Sequence, residues 1–487
     1  MSIYTRLRTV AEANPEKPAV IADDTSLTYA QLIDGIERCA RGMTELDCGS
    51  GDAIAVALPS GLDFIHTVFA AFAQNCILVP LNPGFREAEL RRYLDSVKPR
   101  LVFLSPELEC STEFAGSAAV VRCADLARAV ESAGVTRRPV DGDSPAIQMF
   151  TSGSTGESKR VTRTQNQLLM EFDALSASIA LSPRDRILAA VPLFHAYGFG
   201  NALMAALLSG GQLYLSTTEF NPRKVASALA ELQITMFPGV PFMFKMLSET
   251  RFSRPPSFAS LRLTMSAGAP LPEAVAQRFQ ERFSIPISQQ YGCTEVGTIA
   301  VNTQSPVAKP TSVGLPIPGC QLEVRDESGR VVPAGELGEV WVKSRTMATC
   351  YDSAADATSK SFRDGFFCAG DQGYVDDQGL LFVTGRKNLV INVGGFKVDP
   401  SEVEQVLRKH PSVQDVVVLG VTHPQYGEQL KAAVVPNPQA LCSADDLRAF
   451  AEGQLVDYKV PTLIEFIREI PTSPVGKILR KYLAESH

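Results

Sequence analysis

At 487 residues the chain is too long for one simple core, and a norm of about 150 residues per domain implies two to four units. Its 45% apolar and 20% charged residues are those of an ordinary globular protein, and a net charge of −7 offers no electrostatic footprint for nucleic acid or an anionic membrane. The opening Met1–Arg6 lacks a signal-peptide core, no unbroken run of about 18 apolar residues occurs, and neither the ten cysteines nor the five histidines cluster; the expectation is a cytoplasmic protein with reduced thiols, no membrane span and no zinc site.

In chain order, the apolar runs Ala53–Leu58, Cys76–Leu81, Leu101–Leu104, Ile187–Val191 and Gln212–Ser216 predict buried strands. Amphipathic stretches of helical length, such as Thr28–Met43 and Ser60–Gln74, lie between them. That alternation predicts an α/β fold with mostly parallel strands in a large multi-layer N-terminal domain. From about 310 to 385 the texture turns β-rich: Gln321–Arg325, Gly338–Lys343 and Gly379–Thr384 are short strands joined by turns such as Asp326-Glu327-Ser328-Gly329. The last hundred residues predict a small α+β domain with helices at Pro400–His410 and Ser443–Gly453 and strands at Val413–Val421 and Gln429–Val435. Ser443 is expected to cap its helix, with Asp445 and Asp446 in the first turn. The boundary is placed at Gly385–Asn388, giving domains 1–386 and 389–487.

The segment Thr151-Ser152-Gly153-Ser154-Thr155-Gly156-Glu157-Ser158-Lys159 follows the apolar run Ala146–Phe150. Small residues let the backbone approach an anion, hydroxyls and N–H groups can donate to phosphate oxygens, and Lys159 adds a cation. It lacks the Gly-x-x-x-x-Gly-Lys-Ser/Thr spacing of the ordinary P-loop. By itself it reads equally as a phosphate cradle or as a Ser/Gly connector.

Five further segments accompany it in a fixed order: Pro192-Leu193-Phe194-His195-Ala196-Tyr197-Gly198, Ser266-Ala267-Gly268-Ala269-Pro270, Tyr291-Gly292-Cys293-Thr294-Glu295, Cys368-Ala369-Gly370-Asp371, and Pro471 to Arg480 around Lys477. With the opening Asn14–Ala19 and Leu27-Thr28-Tyr29, this series resembles the superfamily of adenylate-forming enzymes, comprising acyl- and aryl-CoA ligases, peptide-synthetase adenylation domains and beetle luciferases. The likeness is greatest to the acyl/aryl-CoA ligase branch. It implies a C-terminal lid that rotates between two half-reactions.

Residue by residue, the resemblance implies that Thr151, Ser152, Gly153, Ser154, Thr155, Gly156 and Lys159 cradle the phosphates of ATP. Gly268, Ala269, Tyr291, Gly292 and Thr294 line the nucleotide. Asp371 accepts the ribose hydroxyls, and Arg386 also touches the nucleotide. Glu295 holds Mg²⁺, a hard cation that prefers oxygen ligands. His195, Ala196, Tyr197, Gly268 and Gly297 line the acyl pocket, with His195 beside the thiol tunnel. Lys477 is the catalytic lysine. Asn388 takes the hinge position, where relatives more often carry Asp or Lys. Two departures stand out. Arg160 replaces a Gly and adds a second cation beside Lys159, and Gln165 replaces a His, so that whatever the histidine contributes must come from hydrogen bonding or be absent.

The implied reaction joins a small carboxylic acid to AMP with release of pyrophosphate, then passes the acyl group to a thiol of coenzyme A or of a carrier-protein phosphopantetheine. An α-amino acid is excluded, because Phe194–Gly198 holds no carboxylate for a buried ammonium. Aryl and short or medium alkyl acids remain. The alternatives are an enzyme loading only an acyl carrier protein, a luciferase-like oxygenase, and a non-catalytic nucleotide-binding module, which would be expected to lack Lys477 or Asp371.

Overall fold

The computed structural model describes all residues except 1, 23–24, 86, 106–115, 117, 123–140, 152–158, 217–219, 255, 353, 387–390, 394–395, 399, 424–426, 441, 456, 474–477 and 486–487. The chain divides into two compact units. One comprises Met1–Glu323, Trp341–Cys368 and Gln378–Leu381, the other Val324–Val340, Ala369–Asp377 and Phe382–His487.

Among the described residues, the first unit holds two large sheets. One has nine strands, in the spatial order Leu315–Pro316, Gly297–Val301, Ile287–Cys293, Leu263–Ser266, Met236–Gly239, Arg186–Ala189, Gln212–Leu215, Pro18–Ala22 and Thr25–Thr28. Its six central strands run parallel, and the flanking strands are antiparallel. The other has seven, in the order Tyr351–Asp352, Lys159–Thr164, Pro145–Thr151, Ile77–Pro80, Ala53–Ala57, Leu101–Leu104 and Ala119–Val121. All five predicted apolar runs are strands of these two sheets, within two residues at each end.

Helix Leu62–Gln74 shows why the layers stack. Phe64, Ile65, Val68, Phe69, Ala70, Ala71 and Phe72 are all buried, so no face is left for solvent, the mark of a helix enclosed by other elements. Each large side chain so buried contributes roughly 1.5–3 kcal/mol. Helix Tyr29–Glu45 begins one residue later than expected because Thr28 is its cap: its hydroxyl accepts from Gln31 N–H while the Gln31 side chain takes Thr28 N–H.

Gln165 belongs to the same core. Fully buried, its Oε1 accepts from Ile3 N–H at 2.9 Å and its Nε2 donates to Phe72 C=O at 3.2 Å, tying helix Ile3–Ala13 to the end of helix Leu62–Gln74. An uncharged amide does this without the cost of burying an ion.

Past residue 310, Cys320–Arg325, Gly338–Ser344, Phe366–Val375 and Leu381–Arg386 are strands of a further sheet. In the second unit, Gly427–Pro436 pairs antiparallel with Val413–His423 and parallel with Leu463–Phe466. Helices Pro400–Leu407 and Ala444–Glu452 share its core through Val403, Leu407, Leu447 and Ala451. Ser443 caps the second helix as expected, in a reciprocal box with Asp446. No helix among the described residues is long and apolar enough to cross a membrane.

Candidate active site

In open α/β sheets ligands bind beyond the carboxyl ends of parallel strands. The segments singled out in the sequence leave the nine-stranded sheet at that edge: His195–Gly198 after Arg186–Ala189, Gly268 and Ala269 after Leu263–Ser266, and Tyr291–Glu295 at the end of Ile287–Cys293.

Glu295 lies in a tight hairpin. Cys293 pairs with Gly297 across the turn Thr294-Glu295-Val296, Gly297 has φ +88°, and a Cβ on Gly292 would stand 2.5 Å from Gly297 C=O. Both glycines are therefore demanded by a three-residue hairpin whose strands approach closely. The turn leaves Glu295 only 7% exposed, its own carbonyl accepting from Ala348 N–H at 2.7 Å.

A residue without motif weight completes this corner. The Tyr351 hydroxyl donates to Glu295 Oε1 at 2.7 Å, and Lys159 Nζ lies 4.9 Å from the centroid of the Tyr351 ring. Tyr351 reaches them as an edge strand paired to Val161, while Thr151 and Lys159 pair across the ends of the segment 152–158. Burial, then the Glu295 charge, raises the Tyr351 hydroxyl far above its ordinary range, so it stays a donor. Arg160 does not join them. Its Nε binds Asp352 at 3.0 Å and its Nη1 the Ser96 carbonyl at 2.7 Å, so the extra cation is spent on holding the edge strand.

Along the acyl segment, Tyr197 donates to Met265 C=O at 3.1 Å, and burial raises its hydroxyl. His195 Nε2 is buried without a hydrogen-bond partner among the described residues, and burial pushes the imidazole down to about 4, leaving it neutral near pH 7. Gly268 has φ +86°, a left-handed conformation that favours glycine, and is exposed. Ala196 and Ala269 are half-buried.

Behind Gly297 stands a buried ion pair absent from the sequence reading. Arg163 Nη2 meets Glu171 Oε2 at 2.8 Å, and Glu171 Oε1 accepts from Thr298 N–H at 2.8 Å. A Cβ at Gly297 would sit 2.2 Å from that carboxylate. The room expected there for substrate is room that Glu171 already uses.

Asp371, a residue of the second unit, is 5% exposed on strand Phe366–Val375, and the backbone of Arg386 ends strand Leu381–Arg386. Ser152, Gly153, Ser154, Thr155, Gly156, Asn388 and Lys477 lie outside the described residues, as does the side chain of Arg386. No cluster of three or more His, Cys, Asp or Glu gathers among the described residues. Glu295 alone nevertheless suits Mg²⁺, which commonly binds through one or two carboxylates, substrate phosphates and water.

Residues 7–352 match the family model of the AMP-binding enzymes, and residues 402–477 that of the AMP-binding enzyme C-terminal domain. The chain belongs to the AMP-binding enzyme family. Among its relatives is a feruloyl-CoA synthase of Amycolatopsis, 32% identical over 474 residues and 96% of each chain. ATP-bound MatB from Rhodopseudomonas palustris superposes with a TM-score of 0.92 at 25% identity, covering 100% of this chain and 99% of that one. The o-succinylbenzoate CoA synthetase of Bacillus subtilis, in complex with its acyl-adenylate intermediate, gives a TM-score of 0.89 at 26% identity, covering 100% of this chain and 99% of that one. As an AMP-binding enzyme of this branch, the chain is an AMP-forming acid–thiol ligase that works through an acyl-adenylate.

Proposed function

We propose that this ligase activates an aryl or short alkyl acid with ATP and Mg²⁺ and transfers the acyl group to coenzyme A. The meeting of Lys159, Tyr351 and Glu295 at the carboxyl edge of the sheet carries the reading. A carboxylate attacking a triphosphate needs charge neutralised and groups aligned more than it needs a covalent helper. When bound, Mg²⁺ would screen the phosphate charge. The chain's own part is to hold that cation through Glu295, to set Lys159 against the phosphates and to seat the ribose on Asp371.

The substrate carboxylate oxygen then bonds to the α-phosphorus and pyrophosphate leaves, with Lys477 stabilising the developing charge. In the second step the lid turns about Asn388, Lys477 withdraws, and the segment Val393–Lys397 faces the site. The thiol, losing its proton, attacks the acyl carbon and AMP departs. The C-terminal family model over residues 402–477 lies within the lid placed at 389–487 and supports it.

An aromatic acid is favoured by the 32% identity to a feruloyl-CoA synthase. An amino acid is disfavoured on a second ground: the buried carboxylate near the pocket segment, Glu171, is already matched by Arg163 at 2.8 Å and is not free to hold an ammonium. Lys477→Ala tests the two-step scheme. It is expected to abolish acid-dependent pyrophosphate release yet leave thioester formation from a preformed acyl-adenylate; equal loss of both steps in a folded variant would sink it.

A further inference from the structure

We infer that the acyl pocket is built for an acid whose acyl group carries a neutral hydrogen-bond donor, a hydroxyl or N–H, accepted by the side-chain oxygen of Gln290. This rests on the ligase reading and names the substrate class for it.

The polarity of Gln290 follows from a relay that starts at a charge. Arg163 and Glu171, with side chains 7% and 12% exposed, pair at 2.8 Å, and Arg163 Nε also donates to Thr346 C=O at 3.0 Å. Glu171 Oε1 accepts from Thr298 N–H at 2.8 Å and from Thr298 Oγ1 at 3.2 Å. A carboxylate can only accept, so the single hydroxyl proton of Thr298 is committed to it. Thr298 Oγ1 then has only lone pairs left, and these accept from Gln290 Nε2 at 2.8 Å. The amide is thereby oriented by its network, nitrogen towards Thr298 and oxygen away.

Gln290 Oε1 is left buried without a hydrogen-bond partner among the described residues, on a residue 7% exposed. An unpaired buried acceptor is costly, and a donor on a bound ligand would recover that cost. The relay joins the segments that hold the proposed acyl pocket. Gln290 immediately precedes Tyr291, Thr298 immediately follows Gly297, and a Cβ on Gly200, three residues after Tyr197, would lie 3.7 Å from Glu171 Oε1.

Charge narrows the class further. Arg163 and Glu171 cancel, and His195 is neutral near pH 7. A second carboxylate on the substrate would set acceptor against acceptor at Gln290. A hydroxyl satisfies it without importing charge, and a site built around a substrate hydroxyl discriminates strongly against the analogue lacking it.

The test measures acid-dependent pyrophosphate release for hydroxybenzoates, hydroxycinnamates and short hydroxyalkanoates against their unsubstituted parents and the matching dicarboxylic acids. The best hydroxylated member is expected to exceed its parent in kcat/KM by about 10–100-fold, with the dicarboxylic acids poorest. Gln290→Met should bring that ratio near one, the hydroxylated acid losing more than its parent. Thr298→Val provides a second variant, since it frees the amide to turn and should raise use of the methoxy analogue. Parents preferred by the wild type, or a ratio unchanged in both variants, would overturn the inference and leave the ligase reading standing. Failure of every acid to release pyrophosphate would overturn both.

Discussion

The two edges of the nine-stranded sheet treat polar groups in opposite ways. At the amino edge Asp185, just before strand Arg186–Ala189, takes Arg262 Nε and Nη2 at 2.8 Å each, Thr235 Oγ1 at 2.7 Å and Ser182 N–H at 2.8 Å. Burial would raise its carboxyl, but Arg262, Thr235 and Ser182 outweigh burial and hold it below the usual range. At the carboxyl edge of the same strands, His195 Nε2, Ser266 Oγ and Gln290 Oε1 are buried and have no hydrogen-bond partner among the described residues. Native cores seldom tolerate such atoms, and each calls for an explanation. The contrast teaches that one edge spends its polar groups on fastening the strands together, whereas on the proposed reading the other leaves them for a ligand.

If that division of labour holds, substitutions at the carboxyl edge should cost activity and those at the amino edge stability. The largest effect is expected from Glu295→Gln, which keeps shape and removes the charge: acid-dependent pyrophosphate release should fall by about 100–1000-fold with the urea midpoint close to wild type. A variant that instead unfolds easily would place Glu295 among the structural groups.

Asp185→Ala should do the reverse. Leaving Arg262 and Thr235 without their acceptor is expected to lower the unfolding free energy by about 3 kcal/mol in urea titrations, with kcat/KM of the folded fraction within about twofold of wild type. A large loss of turnover at full stability would erase the distinction between the edges.

Tyr351→Phe sharpens the picture within the active edge. It keeps the ring beneath Lys159 and removes only the hydroxyl that holds Glu295. About one hydrogen bond to a charged group is lost, so roughly tenfold more Mg²⁺ should be needed for half-maximal ATP binding by calorimetry. Affinity for ATP in the presence of a chelator should not change; a drop there would mean that the ring, and not the hydroxyl, has been disturbed.

The smallest effect concerns pH. Burial holds His195 at about 4 in the folded chain, against about 6.5 unfolded. Below 6.5 the unfolded chain binds the proton first, so stability complete above that pH drains away as pH falls towards 4. His195→Phe should reduce the loss between pH 7 and 5.5 by about 1 kcal/mol. Equal slopes for variant and wild type would show that the imidazole already has a partner when folded.

Much of the fold was legible because it is written in local patterns. Apolar runs predicted the strands, and Ser443 announced its helix through capping chemistry that depends on three or four neighbouring residues, whereas Thr28 was read as part of the helix it caps. The corner around Glu295 was legible only in part. Glu295 and Lys159 stood in motifs, but Tyr351 lies 56 residues beyond Glu295, in a stretch for which the sequence offered no motif. Arg163 and Glu171 drew no reading, Gln165 stood between hydrogen bonding and absence of what a histidine gives, and Gly297 was read as room for substrate. For Gln165 and Gly297 the deciding partners, Ile3, Phe72 and Glu171, come from distant parts of the chain.

By itself, then, the sequence determined the layered α/β order, the Ser443 cap, the place of segment 151–159 after an apolar run, and the chemical kinds of group available for adenylation. Those depend on periodicity and on residue type, which act over a few positions. Tertiary structure alone decided which of those groups are free. Arg160 is consumed by Asp352, Glu171 by Arg163, and Gln165 by Ile3 and Phe72, while Gln290 is turned so that its oxygen is left over. Hydrogen-bond capacity is finite for every group, so what remains for a ligand is settled only once the fold has claimed its share.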